Sequence, residues 1–281
     1  MNYNYKIIFL FFLLITSVGV FSYLNFYYDH QAEIIFFDVE QGDSFLLKTN
    51  NGKIILVDGG PDWSALYQLG KALSFFERQI DFLILTHAHD DHVMALPEIL
   101  QRYDVKKIFL PSRLSGKAAL ELYNNQKEKV FFPQAEECWI FNSNCALCIL
   151  PPSEKFLNAK DDNDLSLGVF FKCDSLSFLA VGDASSEREL DLLKSSLVKP
   201  VQVLKISHHG SDSSSSLEFL QSLALNLAVI SVGKNNKYGH PSNIVLNNLD
   251  AIGALLWRTD QLGALRIFTN NGQIMYQKLF D

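Results

Sequence analysis

Six of the seven histidines in this 281-residue chain fall in three short stretches, and each stretch follows an apolar run or lies in a turn. The densest is Phe82-Leu83-Ile84-Leu85-Thr86-His87-Ala88-His89-Asp90-Asp91-His92. An apolar run of this kind carries the backbone to the end of a buried strand. There His87 and His89, two apart in extended chain, point the same way and can grip one cation. Asp91 and His92 follow in the turn, within reach of a second. Neutral imidazoles together with carboxylates suit Zn2+, Mn2+ or Fe2+ better than Mg2+ or Ca2+. The chemistry to expect is that of a bound divalent metal.

Three further stretches have the same form. Leu179-Ala180-Val181-Gly182-Asp183 brings a carboxylate to the end of an apolar run, although a Gly-Asp turn capping the next helix is the common explanation of such a segment. Val203-Leu204-Lys205-Ile206-Ser207-His208-His209-Gly210 ends in a histidine pair before a glycine that permits a sharp turn. Tyr238-Gly239-His240-Pro241-Ser242 is a loop that opens a helix. In layered α/β folds sites are assembled at strand ends, so the position these stretches share joins them into one site.

Short apolar strands alternating with amphipathic helices must hold that site together. Strands are expected over 34–39, 44–48, 53–57, 82–86, 107–110, 167–171, 176–181, 201–206, 227–232 and 265–268. Several are continuous Val/Ile/Leu/Phe runs, which suits strands covered on both faces. Helical periodicity is clearest over 63–78, 94–103, 117–126, 187–196, 216–223 and 242–252, with the serines at 213–216 placed to cap a helix. No internal repeat or long linker interrupts the pattern, so one layered α/β domain is expected over 31–281.

Composition narrows the classes. With 48% hydrophobic and 20% charged residues the chain is too apolar for a disordered protein, and 15 glycines and 8 prolines are too few for a fibrous one. A net charge of −7 argues against broad, nonspecific nucleic-acid binding, although a local cationic site such as a bound metal could still hold a phosphate. From Ile7 to Tyr28 there is no charged residue, and an uncharged apolar run of about 18 or more residues has the length of a membrane span. The run ends in Phe21, Tyr23, Phe26, Tyr27 and Tyr28 rather than in a small-x-small cleavage site. An uncleaved signal anchor over residues 1–30 is therefore expected, with Lys6 on the cytoplasmic side of the cell membrane and the remaining domain outside; secretion after cleavage is the alternative. The four cysteines fit an oxidising compartment, but their pairing cannot be read from sequence. Cys145-x-x-Cys148 has no second CxxC, so buried small side chains or a structural disulfide fit it better than a zinc ribbon or a redox pair.

Taken together the motifs resemble the metallo-β-lactamase fold hydrolases, and most of all the extracytoplasmic hydrolase domain of the competence DNA-uptake protein ComEC and its stand-alone relatives. The resemblance covers nearly everything after the anchor. The family's opening turn matches Phe37-Asp38-Val39-Glu40-Gln41-Gly42-Asp43-Ser44, and its first aspartate is similar to Asp58 in Ile55-Leu56-Val57-Asp58-Gly59-Gly60. The HxHxDH signature is His87, His89, Asp91 and His92. Asp183 stands where relatives place a metal-bridging carboxylate, and the segments at 207–211, 237–242 and 257–263 resemble the closing motifs of the competence group.

The resemblance implies an αββα sandwich holding one or two divalent ions, Zn or Mn, between its sheets. His87, His89 and Asp183 would hold the first, and Asp91, His92, Asp183 and His208 or His209 the second, with His208 preferred because it comes first off its strand. Asp91 would also orient a hydroxide bound by the metals. His240 would stabilise developing charge or protonate the leaving oxygen, with Tyr238 beside it, and Asp58 would orient the ligand loop from behind. Some features depart from the family pattern. No histidine lies between His92 and Asp183, where many relatives have one. The competence group carries an Asn/Ser segment there, matched by Asn163-Asp164-Leu165-Ser166, so water, Asn163 or another histidine would complete the first site. Val93-Met94-Ala95 stand where glycines are common, and Glu40 replaces a glycine before Gln41. No second stretch of this sequence reaches membrane length, so no counterpart of the permease that accompanies the competence domain is expected within it.

The implied activity is phosphodiester hydrolysis, as a nuclease related to DNA uptake, with DNA and an uptake complex as partners. Lys205, Lys234, Lys237, Arg258 and Arg266 are expected near the edge of the site. Two other readings stand beside it. One is a hydrolase of small phosphoesters or other esters at the cell surface, with little salt dependence. The other is a metal-stabilised binding partner of an uptake or envelope complex, without turnover.

Overall fold

Alternation along the strands sorts their side chains into three apolar layers. The computed structural model describes residues 3–28, 31–198, 200–270 and 272–280, with side chains in the first helix described from Tyr5 to Phe21. One sheet contains β1 (Glu33–Phe36), β2 (Phe45–Lys48), β3 (Ile54–Val57), β4 (Gln79–Ile84), β5 (Asp104–Phe109) and β6 (Val130–Phe131). The second contains β7 (Glu137–Asn142), β8 (Cys145–Leu150), β9 (Gly168–Cys173), β10 (Leu176–Ala180), β11 (Val203–Lys205), β12 (Leu227–Ile230) and β13 (Leu255–Arg258). The chain then returns to the first sheet with β14 (Leu265–Asn270) and β15 (Gln273–Lys278). The orders are β15-β14-β1-β2-β3-β4-β5-β6 and β13-β12-β11-β10-β9-β8-β7. Each sheet is antiparallel at one end and parallel at the other, with β3 to β6 and β10 to β13 pairing in parallel.

Between the sheets lie Phe36, Phe45, Val57, Ile84, Phe171, Phe178 and Val203. Three of these rings, Phe36, Phe45 and Phe178, stand with centroids 5.4 to 5.7 Å apart. The residues one step along each strand face outward instead. On the first sheet Leu46, Leu56 and Leu83 meet Leu66 and Leu69 of α2 (Ser64–Ala72), Val93 of the single turn α3 (Asp90–Val93), Ile99 of α4 (Leu96–Arg102) and Leu122 of α5 (Lys117–Gln126). On the second, Leu179, Leu204 and Ile230 meet Leu192 of α6 (Ser186–Leu192), Phe219 of α7 (Leu217–Gln221) and Val245 of α8 (Asn243–Ile252). The result is an αββα sandwich, the expected class.

The differences from expectation have local causes. The helix expected over 63–78 stops at Ala72, because Leu73 is extended and Ser74 and Glu77 close a turn: the Ser74 N–H donates to Glu77 Oε2 at 2.7 Å and the Glu77 N–H to Ser74 O at 3.0 Å. The helix over 187–196 ends at Leu192. Strands β7 and β15 escape a reading by apolar pattern because each lies at an outer edge of its sheet and has no fully buried residue; the short edge strand β13, half-buried, escapes it as well. The cysteines pair as Cys138–Cys148 and Cys145–Cys173, joining β7 to β8 and β8 to β9. Three residues apart on one strand, Cys145 and Cys148 point to opposite faces, so each bonds across to a neighbouring strand rather than to the other.

In α1 (Tyr3–Tyr28) every described side chain from Tyr5 to Phe21 is exposed. Among the described residues no helix is long and apolar enough to cross a membrane. Residues 1, 2, 29 and 30 of the expected anchor lie outside the described residues.

Candidate metal centre

Four connections converge at one end of the sandwich. β3 runs into Asp58, a fully buried carboxylate that accepts the Thr86 N–H at 2.7 Å and the Thr86 hydroxyl at 2.8 Å, with His92 Nδ1 at 2.9 Å. With Nδ1 donating to Asp58, the ring of His92 is fixed and Nε2 is free for another partner. The loop around Gly42 closes against this segment. A Cβ at Gly42 would stand 2.3 Å from the Asp91 carbonyl, the acceptor of the Asp43 N–H at 3.1 Å, so only glycine allows the approach.

The second sheet supplies the other half. Gly182, at φ +55, turns the chain after β10 where a Cβ would meet Ser166 Oγ at 2.8 Å and Thr86 Cβ at 2.9 Å. Asp183 follows, its N–H donating to Ser166 Oγ at 3.4 Å. After β11, His208 and His209 are both left-handed, with φ of 49° and 53°, a conformation that costs a residue with a Cβ. His209 is thereby turned inward, its Nδ1 donating to Ser231 O at 2.8 Å. His209 Nε2 then lies 3.3 Å from Asp91 Oδ2 and 3.4 Å from Asp183 Oδ2, while His92 Nε2 lies 3.4 Å from Asp183 Oδ1. Asp91, His92, Asp183 and His209 each place one donor atom within 4.8 Å of the others.

These residues fit a divalent cation. His92 Nε2, His209 Nε2 and Asp183 Oδ1 are buried and hydrogen-bonded to nothing, and a buried polar atom left unsatisfied costs about 1–3 kcal/mol. Two imidazole nitrogens and two carboxylates form a donor set for Zn or Mn. His208, preferred from sequence, is not in this set. It stays partly exposed at the rim with Nε2 3.9 Å from Asp183 Oδ2, its ring turned edge-on to His240 at 5.6 Å. His87 and His89 adjoin the set, with His87 Nε2 3.1 Å from His89 Nδ1, but they do not close a group with Asp183.

Electrostatics follow from the packing. Burial lowers the pKa of His209, but Asp183 and Asp43 outweigh it and carry it up to about 10. Asp183, Asp91 and Asp58 likewise raise His92 against the effect of burial. Burial raises Asp183, and His209 and His92 bring it well below the usual carboxylate range. The metal-free centre is thus two imidazoliums facing carboxylates, and a cation must displace their protons. Metal uptake at pH 7 is expected to release about two protons per ion, with affinity rising as pH rises. Calorimetry in buffers of different ionisation enthalpy measures the release, and a value of zero would contradict this description.

Two residues that support the centre went unassigned in the sequence, and a third was misplaced. Asp43 lies within the opening motif, and its Oδ1 stands 3.6 Å from His209 Nδ1. Lys205 was expected as a cation at the edge. It is fully buried, pairs with Asp43, donates to Gly182 O at 3.3 Å and lies 3.7 Å from Asp183 Oδ1. The signal was in the strand: Lys205 sits two after Val203, which faces the space between the sheets. Arg258 is engaged by Asp260 at 2.8 Å and Arg266 by Glu33, so neither stands free at the edge. Glu189 on α6 is fully buried and accepts the Ser215 N–H at 2.6 Å, pinning the loop that follows the histidine pair.

Burial lifts the Glu189 carboxyl from 4.5 to about 7. The folded protein therefore keeps a proton that the unfolded chain gives up between those values, and this residue's contribution to stability falls as pH rises through that window. The cost is absent below it, complete above it, and about 3 kcal/mol in size. Glu189→Gln keeps an acceptor and loses the charge, so unfolding free energies of metal-free protein at pH 4.5 and pH 8 should differ by about 3 kcal/mol less in the variant than in the wild type.

Over the centre opens a cleft of about 610 Å3 whose lining includes Gln41, Asn163, His208, Lys237, Tyr238 and His240. Asn236 holds one rim, donating from Nδ2 to His240 O at 2.8 Å and accepting the His240 N–H at 3.0 Å. The rings of Tyr238 and His240 stack with centroids 5.7 Å apart. Burial and the neighbouring His208 and His209 lower the pKa of His240, leaving it neutral at pH 7. Asn163, on the segment expected to replace the missing histidine, lines the cleft with a buried Oδ1 that has no hydrogen-bond partner.

An αββα sandwich with a histidine–aspartate cluster at the shared end of its sheets defines a class, and the Metallo-beta-lactamase superfamily model matches residues 37–234. The chain belongs to that superfamily. It is similar to ComE operon protein 3 of Bacillus subtilis (strain 168), 28% identical over 256 residues, covering 84% of this chain and 33% of that protein. It is also similar to Competence protein ComA of Neisseria gonorrhoeae, 30% identical over 253 residues, covering 89% of this chain and 34% of that one. The chain thus spans about a third of the length of these curated relatives. Among solved structures, CmlA, a diiron beta-hydroxylase from Streptomyces venezuelae, shares the fold at a TM-score of 0.57 and 14% identity, over 86% of this chain and 54% of that one.

Proposed function

We propose that this chain is a metal-dependent phosphodiesterase that cleaves DNA at the outer face of the cytoplasmic membrane. The observation that carries the reading is the four-residue donor set on the floor of an open cleft, with Lys237 and a neutral His240 at its rim. The competence names of the relatives support DNA, and an uptake complex as partner. Support for a location outside the cytoplasm comes from two disulfides, which persist in oxidising compartments. Protease added to intact cells should remove the domain while a cytoplasmic marker survives.

A divalent ion held by Asp91, His92, Asp183 and His209 would supply Lewis acidity and lower the pKa of water from 15.7 toward about 7. The chain's own residues do the rest. Asp58 and the Ser231 carbonyl fix the rings of His92 and His209, and Lys205 holds Asp183 in place. Asp91, the most exposed of the four at 31% of its side chain, faces the cleft and orients the attacking water. Lys237 meets the phosphate, and the N–H of the neutral His240 hydrogen-bonds the leaving oxygen as charge develops on it.

The test is cleavage of single-stranded DNA, double-stranded DNA and a small phosphodiester by the full chain in detergent, stripped of metal and reloaded with Zn2+ or Mn2+. Cleavage restored by metal in the wild type but not in His92→Ala supports the proposal. Preference for the small ester, without salt dependence, would move the substrate to small phosphoesters. Stoichiometric metal binding with no turnover of any phosphodiester would overturn it in favour of a binding partner.

A further inference from the structure

We propose that the hollow beside the cleft, walled by Pro61, Trp63, Ser64 and Met94, is a subsite for a nucleobase next to the scissile phosphate. This rests on the phosphodiesterase reading and names the part of the substrate that the centre itself does not hold. The hollow, of about 460 Å3, shares Pro61 with the cleft over the metal centre, so the two adjoin at that residue. Its walls are carried by the ligand loops themselves. Met94 lies two residues past His92 and donates its N–H to Gly60 O at 3.0 Å, and the Trp63 carbonyl accepts the Tyr67 N–H at 3.1 Å as α2 begins. A ligand seated against Trp63 is therefore held in register with the donor set.

The side chains in this region are flat or soft and open to water: Trp63 is 65% exposed and Met94 41%. In the lining of the cleft itself Tyr238 is also exposed, stacked on His240 with the Lys237 ammonium 5.4 Å from its ring centroid. The hollow and the cleft over the centre thus each carry an exposed aromatic ring. A phosphodiester with an unpaired base on either side matches that arrangement, whereas a duplex keeps its bases stacked on one another. Charge points the same way. The hollow carries Asp62 and no cation, and the chain has a net charge of −7. Recognition there must come from ring contact rather than from phosphate pairing, and should survive salt that would dissociate a binder dependent on phosphates.

The test compares thymidine 5′-(p-nitrophenyl phosphate) with methyl p-nitrophenyl phosphate, which keeps the phosphodiester and leaving group but lacks the nucleoside. Wild type, Trp63→Leu and Trp63→Phe are assayed as full chain in detergent with Mn2+. Stacking on one aromatic ring corresponds to roughly 10- to 100-fold in binding. The wild type's preference for the nucleoside ester in kcat/KM is expected to fall about tenfold or more in Trp63→Leu and to return in Trp63→Phe. An unchanged preference in Trp63→Leu, or an equal loss in the two variants, overturns the subsite. Should neither ester be cleaved, the phosphodiesterase reading fails, and the subsite is judged by binding alone. Oligothymidylate should quench the indole emission of the wild type, and Trp63→Leu should lose that quenching; quenching by phospholipid vesicles but not by oligothymidylate would overturn the subsite.

Discussion

His209→Ala is expected to weaken metal binding by more than the roughly 100-fold that loss of an outer-shell partner costs, and to abolish metal-dependent turnover, while His208→Ala changes metal affinity by less than about tenfold. The contrast rests on geometry. His209 Nε2 is buried, unpartnered and within 3.4 Å of two carboxylates, whereas the nearest carboxylate to His208 Nε2 is 3.9 Å away and its ring stays at the rim. Removal of His209 leaves three donors and opens a polar hole where the imidazole was. Metal titration of both variants, with circular dichroism to check folding, measures the difference. A larger loss in His208→Ala would reverse the assignment.

Lys205→Met carries the largest expected effect on stability. Its ammonium is buried between Asp43 and Asp183, and burial, which lowers its pKa, is outweighed by those two carboxylates. Breaking a buried pair by removing one partner costs about 3–5 kcal/mol, because the remaining charge is left uncompensated. The double variant Asp43→Asn with Lys205→Met removes one of the stranded charges, and it should recover much of that loss. Denaturant unfolding of the four metal-free proteins closes the cycle. A single variant within about 1 kcal/mol of wild type would show that Lys205 does not balance the acidic cluster.

The layered class was legible because alternation of apolar residues is a local property. The runs at 54–57, 82–86 and 176–181 are buried on both faces, and a strand covered on both faces is apolar throughout. Edge strands β7 and β15 carry no such pattern, since one flank of each meets water. The candidate ligands were legible as types at strand ends, and the centre takes in Asp91, His92 and Asp183 from that reading. The preference for His208 assumed an extended chain off the strand, and two consecutive left-handed residues bring His209 to the donor set instead.

Residue types and their spacing by themselves determined a layered α/β domain and the set of side chains able to bind a metal, while the αββα arrangement and the superfamily followed from the resemblance of the motifs. Only the tertiary structure decided which of them meet, that Lys205 is a buried counter-charge rather than an edge cation, that Cys145 and Cys148 bond to other strands, and that Trp63 lines a hollow sharing Pro61 with the cleft. The physical reason is range. Periodicity is set by neighbours along the chain, whereas ligand geometry, charge pairing and the shape of a cleft depend on segments more than a hundred residues apart brought within a few ångströms.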